Sequence, residues 1–312
     1  MSSLRTALKE YLALHRSLGF KYDRTAWELE RFADFVERKG VSYITTELAL
    51  EWATLPASAH PSNWAKRLAF VRRFARHLSA SDPRVTVPPR HLLPYPYCRR
   101  SPYLYRDQDI KRILEAARQL HSTRGLRPLT FSTLYALYAA TGLRTGEALK
   151  LDRQDVDLDR GVLTIRDSKF GRTRYVPLHL SAQRALERYA QERDRLCPKP
   201  ATPAFFLSDA GTRISVQTAH KTFRKLTRHI GLRSRSKRAR GPRITDLRHR
   251  LAIRTLLNWH ARGVSVERRL PHLATYLGHV EIIDTYWYLT ATPQLLRYAL
   301  RRVERSKRRA TR

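Results

Sequence analysis

His279 and Tyr288 stand nine residues apart in the run Leu-Gly-His-Val-Glu-Ile-Ile-Asp-Thr-Tyr-Trp-Tyr, positions 277–288. The apolar stretch ahead of it, Leu270 to Leu277, reads as a helix, and Gly278 is placed to end that helix in the left-handed conformation that glycine adopts at little cost. His279 then leaves the helix at a fixed point, and Tyr288 falls on a second short helix. A tyrosine held opposite a histidine can attack a phosphodiester if enough positive charge surrounds the phosphate. The competing reading is a capped helix followed by core aromatics, since Tyr and Trp are commonly buried. The choice turns on where the chain keeps its cations.

They are abundant. The 312 residues carry 61 Lys+Arg against 27 Asp+Glu, a net charge of +34. Such a surplus repels itself in a compact chain and is tolerated best beside a polyanion. It is spread over the whole length, which favours a protein that surrounds duplex nucleic acid over one that touches it at a point. No apolar stretch approaches the ~20 residues of a membrane helix, and positions 1–18 alternate charge with leucine, unlike a signal peptide. Cys98 and Cys197 are too few and too distant for a disulfide framework or a zinc knuckle. The expectation is a cytoplasmic, nucleoid-associated chain that partners duplex DNA or RNA, with no membrane, metal or cofactor.

The hydrophobic fraction of 42% can fill two cores. The first domain, 1–82, reads as four helices. Leu4, Leu8, Tyr11, Leu12 and Leu18 have helical spacing, as do Trp27, Leu29, Phe32, Phe35 and Val36 behind a cap at Asp23. Thr45 or Thr46 opens the third helix and Ser62 the fourth. The fourth carries Lys66, Arg67, Arg72, Arg73 and Arg76 between apolar positions. A solvated face would suffice for these, but the global charge favours a face turned to DNA. Residues 83–103 are rich in proline and arginine and read as a semi-rigid connector between two domains able to close around a duplex.

The second domain, 104–312, opens with helix 107–120 and a central helix, 128–140, apolar on nearly every side. That helix stops at Gly142; Leu143 plugs back into the core, Arg144 starts a short helix, and Glu147 follows on the same face, where it can hold the guanidinium. Residues 162–165 and 173–178 read as a hairpin with Lys169 at its tip and Arg172 and Arg174 nearby. Helix 181–196 follows, and helix 215–230 carries Lys221, Arg224 and Lys225. The loop 231–243, with Arg235, Lys237, Arg238, Arg240 and Arg243, has no apolar face and is available for phosphates. Thr245 or Asp246 caps the next helix. Arg248 falls in its first turn, a poor place for a cation unless an anion joins it. From Pro293 an amphipathic helix leads into a basic tail.

Four separated segments, Thr141-Gly-Leu-Arg-Thr-Gly-Glu-Ala-Leu149, Lys169 in its hairpin, Asp246-Leu-Arg-His249 and Leu277-Gly-His279 with Tyr288, together resemble the tyrosine recombinase (phage integrase-like) family. The resemblance covers the second domain throughout, and the first resembles that family's core-binding domain. It implies a mainly α fold with a small β-hairpin: an N-terminal four-helix, SAM-like core-binding domain and a C-terminal mixed α/β catalytic domain. It further implies Arg144 and Arg248 as phosphate-clamping arginines, Lys169 as general acid, His279 as the histidine after Leu-Gly, Tyr288 as nucleophile, and Glu147 as the acidic residue after the first arginine. The implied activity is site-specific DNA cutting and rejoining through a 3′-phosphotyrosine, without metal or ATP, by a homotetramer on paired sites, and for a mobile element. The family usually has histidine where this chain has Thr245; a hydroxyl cannot act as imidazole at neutral pH, and Thr245 and His249 are counted as supporting residues. A slower enzyme is the expectation. The rival readings are a type IB topoisomerase-like enzyme and a catalytically weak DNA-binding regulator on the same fold. The expectation is that no third, arm-binding domain precedes residue 1, which slightly disfavours the elaborate phage-integrase type.

Overall fold

The computed structural model describes residues 4–94, 102–166, 173–233 and 241–290, together with 293, 295–298 and 300. The chain divides into two compact units, Met1–Arg100 and Ser101–Arg312.

The first unit contains α1 (Leu4–Ser17), α2 (Asp23–Arg38), α3 (Thr46–Thr54) and α4 (Pro61–Leu78). Leu8, Leu29, Phe32, Val36, Trp52, Leu68, Val71 and Phe74 form its core. Thr45 caps α3, its hydroxyl accepting from Leu48 N at 3.2 Å. Two other starts differ from the sequence reading. Asp23 is the first helical residue of α2, entered through Tyr22 at φ 51°, and α4 begins at Pro61 behind His60, one residue early. Proline suits that first position because its missing N–H has no helical partner there. Leu18 and Trp27 are not core residues: they are 64% and 52% exposed, and the Arg31 guanidinium lies over the Trp27 ring at 4.5 Å.

The start of the proline-rich stretch is not a free connector. Val85 is buried in the helical core, Thr86 N donates to Ile44 O at 2.9 Å, and Thr86 Oγ1 accepts from Thr46 N at 2.9 Å. Arg72 donates to the carbonyls of Pro88 and Pro89 at 2.8 and 2.7 Å, and Arg84 pairs with Asp82. Prolines lack a donor but keep a carbonyl, so an arginine on α4 fastens this segment.

The second unit runs α5 (Asp107–Arg118), α6 (Leu126–Thr141), α7 (Thr145–Lys150), β1 (Val156–Asp157), β2 (Val162–Ile165), β3 (Arg174–Pro177), α8 (Leu180–Leu196), α9 (Val216–His229), α10 (Ile244–Ala261), α11 (Val266–Leu277), α12 (Ile283–Tyr286) and a 3-10 turn, Trp287–Thr290. It is mainly helical with one small sheet, as the resemblance implies. α6 is the central helix: Phe131, Leu134, Tyr135, Leu137 and Tyr138 are all buried, and Tyr135 donates to Ala219 O at 3.0 Å. The strands are antiparallel in the order β1-β2-β3, with Leu163 opposite Val176 and Ile165 opposite Arg174. The short β1 has no counterpart in the sequence reading. A further cluster, from Ile253, Leu256, Leu270, Leu273, Leu277, Tyr288 and Leu295, joins α10, α11 and the 3-10 turn. Among the described residues no helix is long and apolar enough to cross a membrane.

Candidate active site

Two helices of the second unit stop at glycine. α6 ends at Gly142, φ 63°, whose N–H donates to Tyr138 O at 3.0 Å. α11 ends at Gly278, φ 69°, with Gly278 N donating to Thr275 O and His279 N to Ala274 O, both at 2.9 Å. The last carbonyls of a helix lack partners within it and form its negative pole. Here arginines supply the partners. Arg174 Nε donates to Tyr276 O at 3.2 Å, Arg248 to Leu277 O at 2.6 Å, and Arg144 to Gly278 O at 2.7 Å. Arg248 also donates to Gly142 O at 2.9 Å, so one guanidinium joins the ends of both helices.

This arrangement answers the oddity of a cation near the start of α10. Arg248 is the fifth residue of that helix, only 5% exposed, and its head reaches the C-terminal ends of two others. Burial, then the like charge of Arg144, lowers its pKa to about 10, while nearby Tyr288 and Glu147 pull the other way. It is therefore charged at neutral pH. The bonds to Gly142 and Leu277 employ two of its five donors. The start of α10 is closed by Asp246, which accepts from Arg243 N at 2.9 Å and from its guanidinium at 2.7 Å. Asp246 thus acts from inside the helix, and the cap position belongs to Arg243, not to Thr245 or Asp246.

Glu147 is buried between two arginines. It accepts from Arg144 N at 2.9 Å, from the Arg144 guanidinium at 2.6 Å, and from both Arg174 terminal nitrogens at 3.0 and 2.8 Å. Burial pushes its pKa up, but the bonds from Arg174, followed by those from Arg144, win and hold it at about 2. Arg174 is the correction here. Expected beside the hairpin tip facing DNA, its side chain is 11% exposed and committed to Glu147 and to the end of α11. It ties the sheet to the arginine cluster.

Tyr288 is 2% exposed. Its hydroxyl lies 3.2 Å from His249 Nδ1, and its ring is near-parallel to His279, with centroids 6.1 Å apart at 15°. His279 Nδ1 is 2.6 Å from the hydroxyl of buried Thr285, a residue the sequence reading passed over. Its only signal there was its place between the two, six residues after His279. The structure thus brings together Arg144, Glu147, Arg248, His249, His279 and Tyr288. Thr245 is exposed, at the second position of α10, and Lys169 lies outside the described residues.

The expected DNA-facing residues divide. Lys66, Arg73 and Arg76 on α4 and Lys221, Arg224 and Lys225 on α9 are exposed. Arg67 is not: it is 9% exposed, its guanidinium 3.8 Å from the Trp52 ring centroid, 2.9 Å from Trp52 O and 3.4 Å from Glu28. Arg72 is spent on the Pro88 and Pro89 carbonyls and Arg243 on Asp246. Arg172, Arg235, Lys237, Arg238 and Arg240 lie outside the described residues.

Residues 104–294 match the model of the phage integrase family. The integrase/recombinase y4rB of Sinorhizobium fredii is 46% identical over 309 residues, 98% of each chain. Among solved structures, the Tn1549 transposon integrase in complex with transposon right end DNA superposes with a TM-score of 0.62 at 15% identity, covering 96% of this chain and 99% of that one. A lambda integrase tetramer bound to a Holliday junction gives 0.61 at 16% identity over 90% of this chain and 78% of its own.

Proposed function

The chain belongs to the phage integrase family, and on that premise we propose that Tyr288 is the nucleophile of its strand exchange, acting in the cup built by Arg144 and Arg248. The protein is a tyrosine recombinase, an enzyme that breaks and rejoins DNA, and its activity is site-specific recombination. One observation carries the assignment of the site. Arg144 and Arg248 are fixed to the consecutive carbonyls of Gly278 and Leu277, at the turn that delivers His279 to the ring of Tyr288.

The chemistry follows from the charges. As the phenolic oxygen attacks phosphorus, the non-bridging oxygens gain negative charge, and two guanidinium forks match them where lysine would not. The forks are already anchored, so little reorganisation accompanies the reaction. Glu147, ionised well below neutral pH, keeps Arg144 and Arg174 side by side despite their repulsion. Lys169 protonates the departing 5′ oxygen. The 3′-phosphotyrosine retains the energy of the broken bond, so a 5′-hydroxyl from another strand reverses the step without ATP. Exposed Lys66, Arg73 and Arg76 on α4 and Lys221, Arg224 and Lys225 on α9 meet the phosphate backbone. The working assembly is a tetramer on paired sites, and the role is the movement of a mobile element; both are supported by the transposon integrase and the junction-bound tetramer that share the fold.

The test is a nicked suicide substrate, whose short 5′ fragment diffuses away and traps the covalent complex. The unaltered chain forms a protein–DNA adduct; Tyr288→Phe binds the same DNA and forms none. An adduct that persists in Tyr288→Phe, or one mapped to another residue, rejects the assignment.

A further inference from the structure

Thr245, three residues before Arg248, offers a hydroxyl and no imidazole. A free phenol, with a reference pKa of about 10, keeps its proton near neutrality, so attack requires an acceptor. α10 offers one a single turn further on. Positions 245 and 249 are four apart and share a helix face, and His249 Nδ1 lies 3.2 Å from the Tyr288 hydroxyl. The imidazole is held there by aromatic contacts: Trp287 meets it edge-on at 5.2 Å and 67°, and the Tyr288 ring is tilted against it at 5.6 Å. The other imidazole, His279, backs the phenol ring and binds the Thr285 hydroxyl at 2.6 Å.

We propose that His249 is the general base for Tyr288. Its Nδ1, accepting while the ring proton sits on Nε2, takes the phenolic proton as the oxygen–phosphorus bond forms. The P–O5′ bond breaks, and the 5′ oxygen receives its proton from Lys169. In the reverse direction Lys169 takes the proton of the 5′-hydroxyl as it attacks phosphorus, the bond from phosphorus to the tyrosine oxygen breaks, and the imidazolium returns its proton to the departing phenolate. The assignment rests on Tyr288 being the nucleophile. Among the described residues the titratable group shown against His249 is Tyr288 on the 3-10 turn; Tyr288 in turn faces His279 after α11 and Arg248 on α10, with Arg144 and Glu147 of the α7 segment around that arginine.

Single-turnover cleavage of a nicked duplex bearing a site that the unaltered chain cuts provides the test, with His249→Asn and His249→Gln as paired variants in case one fails to fold. Either variant is expected to bind that duplex with unchanged affinity and to cleave it at least ~100-fold more slowly, the scale of a lost general base. The low-pH limb of its rate profile should disappear. A 5′-bridging phosphorothiolate, whose sulfur departs without a proton, should leave the defect in place, whereas difluorotyrosine at position 288, a more acidic phenol, should recover at least ~10-fold of the rate. Full cleavage rates in both variants, or a defect erased by the phosphorothiolate, would overturn the proposal. Absence of any Tyr288-dependent adduct in the unaltered chain would instead sink the functional reading beneath it.

Discussion

Arg67 in the helical unit and Arg248 in the catalytic unit are buried to a similar degree, 9% and 5% exposed, and burial is the main cause lowering the pKa of each. They are held in different ways. Arg67 lies on the face of Trp52 and beside the carboxylate of Glu28, itself only 6% exposed, so its charge is answered within the fold. Arg248 is held by two neutral carbonyls and has a second arginine for a neighbour. Dipoles steady a cation without cancelling it. An arginine neutralised by its own carboxylate is architecture, whereas one held by helix ends keeps its charge.

The comparison breaks most visibly at Arg67. Arg67→Met strands the Glu28 carboxylate in the core and is expected to cost about 3–5 kcal/mol of stability, read from the urea midpoint, with Glu28→Gln restoring much of the loss. Cleavage per folded molecule should be unaltered; a cleavage defect there would mean that the two arginines are not different in kind. Arg248→Ala is the converse. Its cleavage should fall by roughly 100- to 1000-fold, the scale of one lost transition-state donor, while the urea midpoint of the helical unit stays where it was. Near-wild-type cleavage would remove Arg248 from the phosphate cup.

Acid sharpens the contrast further. Glu147 is held at about 2 in the folded chain against an ordinary value of 4.5. A depressed carboxylate contributes stability above its unfolded pKa and loses it as pH falls. The stability of the catalytic unit should therefore decline between about pH 4.5 and 2 by on the order of 3 kcal/mol from this group. Melts across that window should be flatter for Glu147→Gln; identical slopes would show that Glu147 is not the group responsible.

The smallest effect comes from a matched pair of glycines. Gly40, after α2, and Gly278, after α11, both sit at φ 69°. Alanine at either is strained by roughly 1 kcal/mol. A Cβ at position 40 meets nothing within 4 Å, whereas at 278 it falls 2.7 Å from the Arg174 guanidinium. Gly278→Ala should therefore cost more stability than Gly40→Ala, and only it should slow cleavage, by about 10- to 100-fold for a displaced cup. Equal cleavage in the two would mean that Arg174 tolerates the intrusion.

Much of the site was legible because its parts are punctuated. Glycines 142 and 278 mark helix ends that Arg144, His279 and Tyr288 follow at short spacing, and Arg248 is marked by its place near the start of a helix. Arg67 and Arg174 were misjudged because abundant charge invited the reading that every cation faces outward. Their positions already argued otherwise. Arg67 falls on the same stripe of α4 as Val71, Phe74 and Leu78, and Arg174 is two residues from buried Val176, on the same side of its strand. Periodicity outranked residue type in both cases. The partners of these arginines are separated by 39 and 27 positions, and the carbonyls that hold Arg248 belong to other helices. No local pattern announces contacts of that kind.

The end of α11 has a mechanical corollary. Tyr276, Leu277 and Gly278 offer adjoining backbone oxygens to guanidiniums rooted in the sheet, in α10 and ahead of α7. A rotation of that one turn would strain all three bonds at once, leaving Arg144 and Arg174 to the carboxylate of Glu147 and Arg248 to the carbonyl of Gly142. The spacing of three guanidiniums is thereby set by how tightly one coil of helix is wound.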